Sequence, residues 1–167
     1  MSESFSPLRL APYTPRHHCG VLALVGSCYA EYGQVLELRT LDADLAGIED
    51  AYPWPEATFQ VLLEGERVVG TVAVRQLDAA TAELKRLYLL ARWRGQGIGK
   101  RLALWACEWA RRRGCSRVRL WSDVHFETAH ALYEHLGARR TGRSRRLGGV
   151  NDVREDEFEL ALEPACP

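Results

Sequence analysis

The stretch Arg92-Trp-Arg-Gly-Gln-Gly-Ile-Gly-Lys100 carries three glycines where a strand-like segment, Glu83-Leu-Lys-Arg-Leu-Tyr-Leu-Leu90, gives way to a helical pattern. Glycine lets a backbone come close to a ligand. The first turn of a helix offers N–H groups with no intrahelical acceptor and the positive end of the dipole behind them. The chemistry that suits such a loop is the holding of an anion, a pyrophosphate above all. Spacing tests two nucleotide loops. The Walker A pattern fails, because counting back from Gly99-Lys100 puts Arg94 at its first glycine and Arg101 at the Ser/Thr that holds magnesium. The dinucleotide fingerprint fails as well: Gly95-Gln-Gly97-Ile-Gly99 is followed by lysine, and no acidic residue falls about twenty positions on in a strand. What remains is R-x-x-G-x-G, spelled Arg94-Gly-Gln-Gly97-Ile-Gly99.

The elements that must position this loop alternate along the chain. Leu8 to Tyr13 is a short strand, and Thr14-Pro15 sets an N-cap before a proline at the first helical position. The helix that follows has Val21, Val25, Cys28, Tyr29 and Tyr32 on one stripe and ends near Gly33. A second helix begins near Asp42 with Leu45 and Ile48 inward, stopped by Pro53 and Pro55. From Thr58 the period becomes two, and the turn Glu64-Gly-Glu66 joins a hairpin that runs on through Val74. In the third strand, Thr81 to Leu90, the apolar phase slips from even positions (Ala82, Leu84) to odd ones (Leu87, Leu89) around Lys85-Arg86, as an inserted bulge residue would cause. The helix after the glycine loop puts Ile98, Leu102, Trp105 and Trp109 on one face and closes at Arg111-Arg-Arg113-Gly114. A strand at Val118 and Leu120, a helix bearing Ala129, Leu132, Tyr133 and Leu136 up to Gly137, and two strands around 138–146 and 154–162 complete the order. That order is β-α-α-β-β-β-α-β-α-β-β: an α/β (α+β) chain with a mixed central sheet of about seven strands and helices on both faces.

Composition narrows the classes. With 22 basic and 22 acidic residues the chain lacks the net positive surface of a nucleic-acid binder. It has no long apolar run and no basic n-region before an apolar h-region, so no membrane partner is expected and a cytoplasmic location is. Cys19, Cys28, Cys107, Cys115 and Cys166 are odd in number and lack C-x-x-C spacing, which predicts reduced thiols and no zinc or other metal site. Residues 1–167 read as a single domain, monomeric or homodimeric. Lys100, one of only two lysines, stands with Arg92, Arg94 and Arg101 around the loop, so overall neutrality hides a local cationic stretch.

The R-x-x-G-x-G loop resembles the coenzyme A loop of the GNAT superfamily of acyl-CoA N-acyltransferases. Ala129-His-Ala-Leu-Tyr133-Glu-His-Leu-Gly137 resembles the superfamily's later A-x-x-L-Y-x-x-x-G helix. Together the two motifs span Glu83 to Gly137, and the order of the flanking elements matches. The resemblance implies a GNAT fold and an N-acetyltransferase that moves acetyl from acetyl-CoA to a primary amine by direct attack in a ternary complex. The acceptor expected first is a small metabolite or amino-acid-like amine. A protein N-terminus or lysine comes second, and a non-catalytic acyl-CoA-binding module is the alternative from another class. By resemblance, the backbone from Gly95, Gln96, Gly97, Ile98 and Gly99 to Lys100 holds the pyrophosphate with Arg94 lining the loop, and a bulge frees Leu87, Tyr88 and Leu89 for the pantetheine arm and thioester carbonyl. Tyr133 assists the leaving thiolate. Glu83 is the first candidate for the base that takes the amine proton, with Asp123 second, and Tyr29, Tyr32 and Trp54 lie in the region that borders the acceptor.

Three positions depart from the superfamily's habit: Phe126 where asparagine often makes a cofactor contact, Ala138 after Gly137 in place of an aromatic, and Ala91 where proline often precedes the loop. His17, His18, His125, His130 and His135 share no ligand spacing and are expected in surface or capping roles. Arg111 to Arg113 and the group Arg139, Arg140, Arg143, Arg145 and Arg146 are expected to be mainly solvated charge.

Overall fold

The computed structural model describes residues 8–163; Cys166 and the start of the chain lie outside the described residues. Seven strands form one sheet in the order β1-β2-β3-β4-β5-β7-β6. They are β1 (Leu8–Pro12), β2 (Ala57–Glu64), β3 (Arg67–Gln76), β4 (Thr81–Leu89), β5 (Arg117–Asp123), β6 (Arg139–Gly148) and β7 (Val153–Ala161). The helices are α1 (His18–Ala30), α2 (Ala43–Ala46), α3 (Ile48–Ala51), α4 (Ile98–Arg112) and α5 (Glu127–His135). The element order follows the expectation, with two differences. Thr14-Pro15 opens a single 3-10 turn (Pro15–His17), with the Thr14 N–H donating to His17 Nδ1 at 3.0 Å, and α1 begins only after it. The helix expected from Asp42 is broken at Gly47, whose extended φ of −142° cannot continue a helix, yet Leu45 and Ile48 on either side of the break are both buried.

Two apolar clusters fill the two faces of the sheet. α1, α2 and α3 cover one through Val21, Leu24, Val25, Leu45 and Ile48, meeting Phe59, Val61 and Leu63 of β2. α4 and α5 cover the other, where Leu102, Ala106 and Trp109 meet Val72, Val74 and Phe158. Removing a fully buried side chain of this size from water contributes about 1.5–3 kcal/mol. Phe158 is wholly buried, with its ring centroid 5.0 Å from that of His130 and 5.7 Å from that of Tyr133, so β7 fixes how α5 sits. His130 is therefore not a surface residue as expected. It is buried, and burial together with the nearby Arg140 guanidinium pushes its pKa down, keeping it neutral. The arginines of the exposed edge strand β6 are answered across the ladder by acids of β7, Arg145 by Glu155 and Arg143 by Glu157, but Glu157 is buried, so these pairs are not simply the solvated charge expected.

The sheet is antiparallel except between β4 and β5. That parallel pairing lasts only from Thr81 to Glu83 against Arg117 to Arg119, and beyond it the strands part. Opposite this opening, the pairing of β3 with β4 jumps from Ala73↔Lys85 to Thr71↔Tyr88, leaving Arg86 and Leu87 facing Val72. This is the bulge that the phase slip indicates: Ala82, Leu84, Leu87 and Leu89 all belong to the cluster under α4 although their numbering changes parity. Arg86 takes a φ of +51°, unusual for a residue with a Cβ, and its carbonyl accepts a hydrogen bond from Thr71 Oγ1 at 2.8 Å.

Among the described residues, no helix is long and apolar enough to cross a membrane, and no three His, Cys, Asp or Glu side chains group to hold a metal. Cys19, Cys28, Cys107 and Cys115 are free thiols.

Candidate active site

The parting of β4 from β5 opens two cavities. The larger, about 410 Å³, is within the range of small-molecule sites and runs from the glycine loop along β4 to α5. Its floor is the loop itself. Gly95 and Gly97 have φ of +73° and +76°, and Gly97 is the residue before α4. The N–H of Arg101 bonds to the Gly97 carbonyl at 3.1 Å, so the N–H groups of Ile98, Gly99 and Lys100 have no acceptor within the helix. No acidic residue stands in that first turn to compete for the positive end of the dipole. Gly95, Gly97, Gly99, Lys100, Leu87, Tyr88 and Leu89 all line this cavity. The Gln96 side chain folds back onto the Arg92 carbonyl at 3.0 Å, leaving only its backbone for a ligand. Ile98 turns into the core beneath α4, so it too can offer only backbone.

Nothing lies within 4 Å of a Cβ built on Gly97, so a side chain there is opposed by backbone geometry alone. Left-handed backbone costs a residue with a Cβ about 1–2 kcal/mol. Gly97→Val is therefore expected to leave a folded protein melting a few degrees lower, with affinity for a pyrophosphate-bearing ligand reduced at least tenfold; a melting curve and calorimetric titration check both.

Arg94 borders the larger cavity, but its guanidinium is engaged. Nε donates to the Leu89 carbonyl at 2.8 Å, and the two terminal nitrogens reach Glu31 at 2.6 and 2.9 Å, tying the end of β4 to α1. The Leu89 carbonyl is thus not free, and the backbone open to a ligand narrows toward Leu87 and Tyr88. Tyr32, expected beside the acceptor, lines this same cavity with its ring 4.8 Å from that of Phe126. The Phe126 that replaces a customary asparagine is part of an aromatic wall. Trp54 lies elsewhere, 71% exposed and stacked on Arg113.

The smaller cavity, about 150 Å³, is of a size that takes a benzene-sized molecule. Glu83, Lys85 and Arg86 of β4, Asp123 of β5, Tyr29 of α1 and Tyr133 of α5 face it. Two loops close over it: Asn151 exchanges hydrogen bonds with the Val35 backbone at 3.0 and 2.7 Å, and the Val150 N–H donates to Glu37 at 2.9 Å. Gly149 permits that contact, because a Cβ there would fall 2.6 Å from Glu37 Oε2. Leu87, Tyr88, Phe126 and Ala129 line both cavities, so the two meet at the bulge.

Charge in the smaller cavity is ordered by pairs. Arg86, its side chain 9% exposed, donates to Asp42 at 2.9 Å and to Asp44 through two nitrogens. Tyr29 donates to Asp42 at 2.9 Å and Tyr52 to Asp44 at 2.5 Å. Burial pushes the Tyr29, Tyr52 and Tyr88 phenols upward, so all three keep their protons. Burial opposes ionisation of Asp44, yet the Arg86 and Tyr52 hydrogen bonds outweigh it and hold its pKa below the usual value. Glu83 is buried with both Arg75 contacts on Oε2, at 2.7 and 2.6 Å, and Arg119 3.6 Å from Oε1. Asp123 is equally buried but accepts from the Gln34 amide at 2.8 Å and from His125 at 2.9 and 2.7 Å. Tyr133 is buried, burial raises its pKa, and its hydroxyl finds no hydrogen-bond partner among the described residues. Arg86, Asp42 and the Asn151 roof went unnoticed in the sequence; only the phase slip at Arg86 marked any of them.

Comparison with known proteins agrees with this architecture. A profile described as Acetyltransferase (GNAT) family matches residues 27–138. The E. coli protein YjgM, named as an uncharacterized N-acetyltransferase, is 37% identical over 114 residues, covering 65% of this chain and 68% of its own. N-acetylaspartate synthetase of Danio rerio is 36% identical over 75% of this chain, which spans only 46% of that longer protein. In structure, an acetyltransferase from Streptococcus agalactiae superposes with a TM-score of 0.83 over 95% of this chain and all of its own at 24% identity. The yncA protein of Salmonella typhimurium, solved with its cofactor acetyl-CoA, gives 0.71 over 97% of this chain and 98% of its own at 19% identity.

Proposed function

The chain belongs to the GNAT family of acetyltransferases, and from that premise we propose that it transfers acetyl from acetyl-CoA to the primary amine of a small, amino-acid-like acceptor by direct attack in a ternary complex. The observation that carries this reading is the meeting of the two cavities at the bulge, with Tyr133 in the wall of the smaller one. The glycine loop suits a pyrophosphate, since it presents unpaired N–H groups and open space. Acetyl-CoA supplies the activated acyl group. Leu87 and Tyr88 present the backbone of a strand with no partner on its β5 side, and an N–H there aimed at the thioester oxygen stabilises the charge that develops on it. The Tyr133 hydroxyl donates to the departing sulfur.

An attacking amine must be neutral, so a carboxylate has to accept its proton. Glu83 and Asp123 both face the smaller cavity. The partners of Glu83 are guanidinium groups, whereas Asp123 is held by an amide and an imidazole and keeps a lone pair on Oδ2; this favours Asp123 as the acceptor of that proton, with Glu83 holding the charge network of the sheet. The roofed, 150 Å³ space supports a small acceptor over a peptide chain. The name of the N-acetylaspartate synthetase relatives points the same way, toward an amino-acid amine.

Thiol release from acetyl-CoA, measured over a panel of amino acids, simple amines and peptides, tests the reading. Release with at least one amino acid and little with peptides is expected. Acetyl-CoA binding without release on any amine would leave a cofactor-binding module, and release with peptides alone would move the acceptor to a protein.

A further inference from the structure

We propose that the acceptor carries a carboxylate as well as its amine, and that Lys85 is the residue that selects it, with Asp123 facing the amine end; the inference rests on the acetyltransferase reading above. Of the cations lining the smaller cavity, Arg86 is neutralised by Asp42 and Asp44, and Arg145 by Glu155. Lys85 alone has neither an ion pair nor a hydrogen bond among the described residues. Its position explains where it points. Ala82 and Leu84 enter the cluster under α4, so Glu83 and Lys85, alternating with them ahead of the bulge, face the opposite side, toward the cavity.

Asp44 and Glu83 act on Lys85 through their charge, but each is already bound to its own arginine, while Arg75 and Arg86 repel it. The side chain is half-buried, and loss of water pushes its pKa down. A cation that is short of both water and a counter-ion is a site for an anion, which restores what burial removed. Across the cavity on β5, the partners of Asp123 among the described residues are the Gln34 amide and the backbone and ring of His125. The cavity therefore offers an unmatched cation on one strand and a carboxylate on the other. A zwitterionic amino acid satisfies both; an amine without a carboxylate leaves Lys85 as it was. The roof of Asn151 and Val35 keeps this space to a single small molecule.

The test pairs each of L-alanine, L-serine and L-leucine with its carboxamide and with the corresponding decarboxylated amine, so that neither partner keeps a carboxylate. For the wild type, kcat/KM is expected to be at least tenfold higher for the acid than for either partner. Lys85→Met should abolish that preference mainly through KM, with kcat, acetyl-CoA affinity and melting temperature held. Lys85→Gln serves as a second variant should the methionine protein misfold. Equal use of acid and amide by the wild type, or a preference that survives both substitutions, overturns the proposal. Calorimetric binding of the same probes to the coenzyme A complex separates this from the activity itself. Acid-selective, Lys85-dependent binding without thiol release upholds the site while sinking the catalytic reading, and binding indifferent to the carboxylate overturns it.

Discussion

Tyr133→Phe is expected to lower kcat by about 10- to 100-fold while leaving acetyl-CoA affinity within a factor of two and the melting temperature unchanged. Only one oxygen is removed. The ring keeps its packing against Phe158, and because the hydroxyl has no hydrogen-bond partner among the described residues, no described partner is orphaned. The size of the effect follows from what a buried phenol can do. A tyrosine of ordinary pKa near 10 giving its proton to a thiolate near 8.5 already goes uphill by roughly 2 kcal/mol. Burial raises the Tyr133 pKa further, so complete proton transfer is disfavoured. A hydrogen bond to a developing thiolate remains, and bonds to charged groups contribute about 1.5–3 kcal/mol, or roughly one to two decades in rate. Steady-state kinetics with a calorimetric titration of acetyl-CoA decide the matter: an unchanged kcat removes Tyr133 from the chemistry, and a weakened cofactor complex makes it a binding residue.

The glycine loop and the bulge of the candidate site were legible because their determinants are local. Glycines at 95, 97 and 99 abut the helix whose N-terminus they free, and the bulge betrays itself within one strand by the move of apolar residues from Ala82 and Leu84 to Leu87 and Leu89. The acceptor half is built from pairs far apart in sequence. Arg86 meets Asp42 and Asp44 across 44 and 42 residues, and Asn151 meets Val35 across 116. No periodicity in a single chain reports such a pairing. The separation of Tyr32 from Tyr29 has a related cause. Tyr29 and Tyr32 lie on one helical stripe, but α1 ends at Ala30, so Tyr32 leaves the stripe and turns to the larger cavity. Gly47 shows the converse: the buried positions Leu45 and Ile48 were readable while the break between them was not, since burial and helix continuity are separate properties. Glu83 was found in the cavity wall, but its two arginine partners come from β3 and β5, and they change what its carboxylate can do.

Arg86→Ala is expected to destabilise the fold by about 3–5 kcal/mol, because it leaves the Asp42 and Asp44 carboxylates, 4% and 19% exposed, without their counter-ion. For a chain of this length, that is a fall in melting temperature of roughly 6–20 °C. Two further readouts tie the loss to this cluster. The first is pH. The folded-state pKa of Asp44 is held below its unfolded value, so the stabilisation it contributes is present above about pH 4 and is lost as pH falls through the folded-state pKa. The gap between wild type and variant should therefore be full at neutral pH and narrow in acid; a gap independent of pH would place the stabilisation elsewhere. The second readout is backbone geometry. Arg86 holds a φ of +51° at the bulge, a conformation that glycine adopts without the cost borne by alanine. Arg86→Gly should accordingly be about 1 kcal/mol more stable than Arg86→Ala although it deletes the same ion pairs. Both variants free the bulge from the segment that carries Asp42 and Asp44, so kcat should fall in both, and to a similar extent, if the guanidinium holds the β4 backbone in place for the reaction. Were glycine to restore kcat while stability stayed low, the left-handed turn itself would be what catalysis requires, and Arg86 only one means of reaching it.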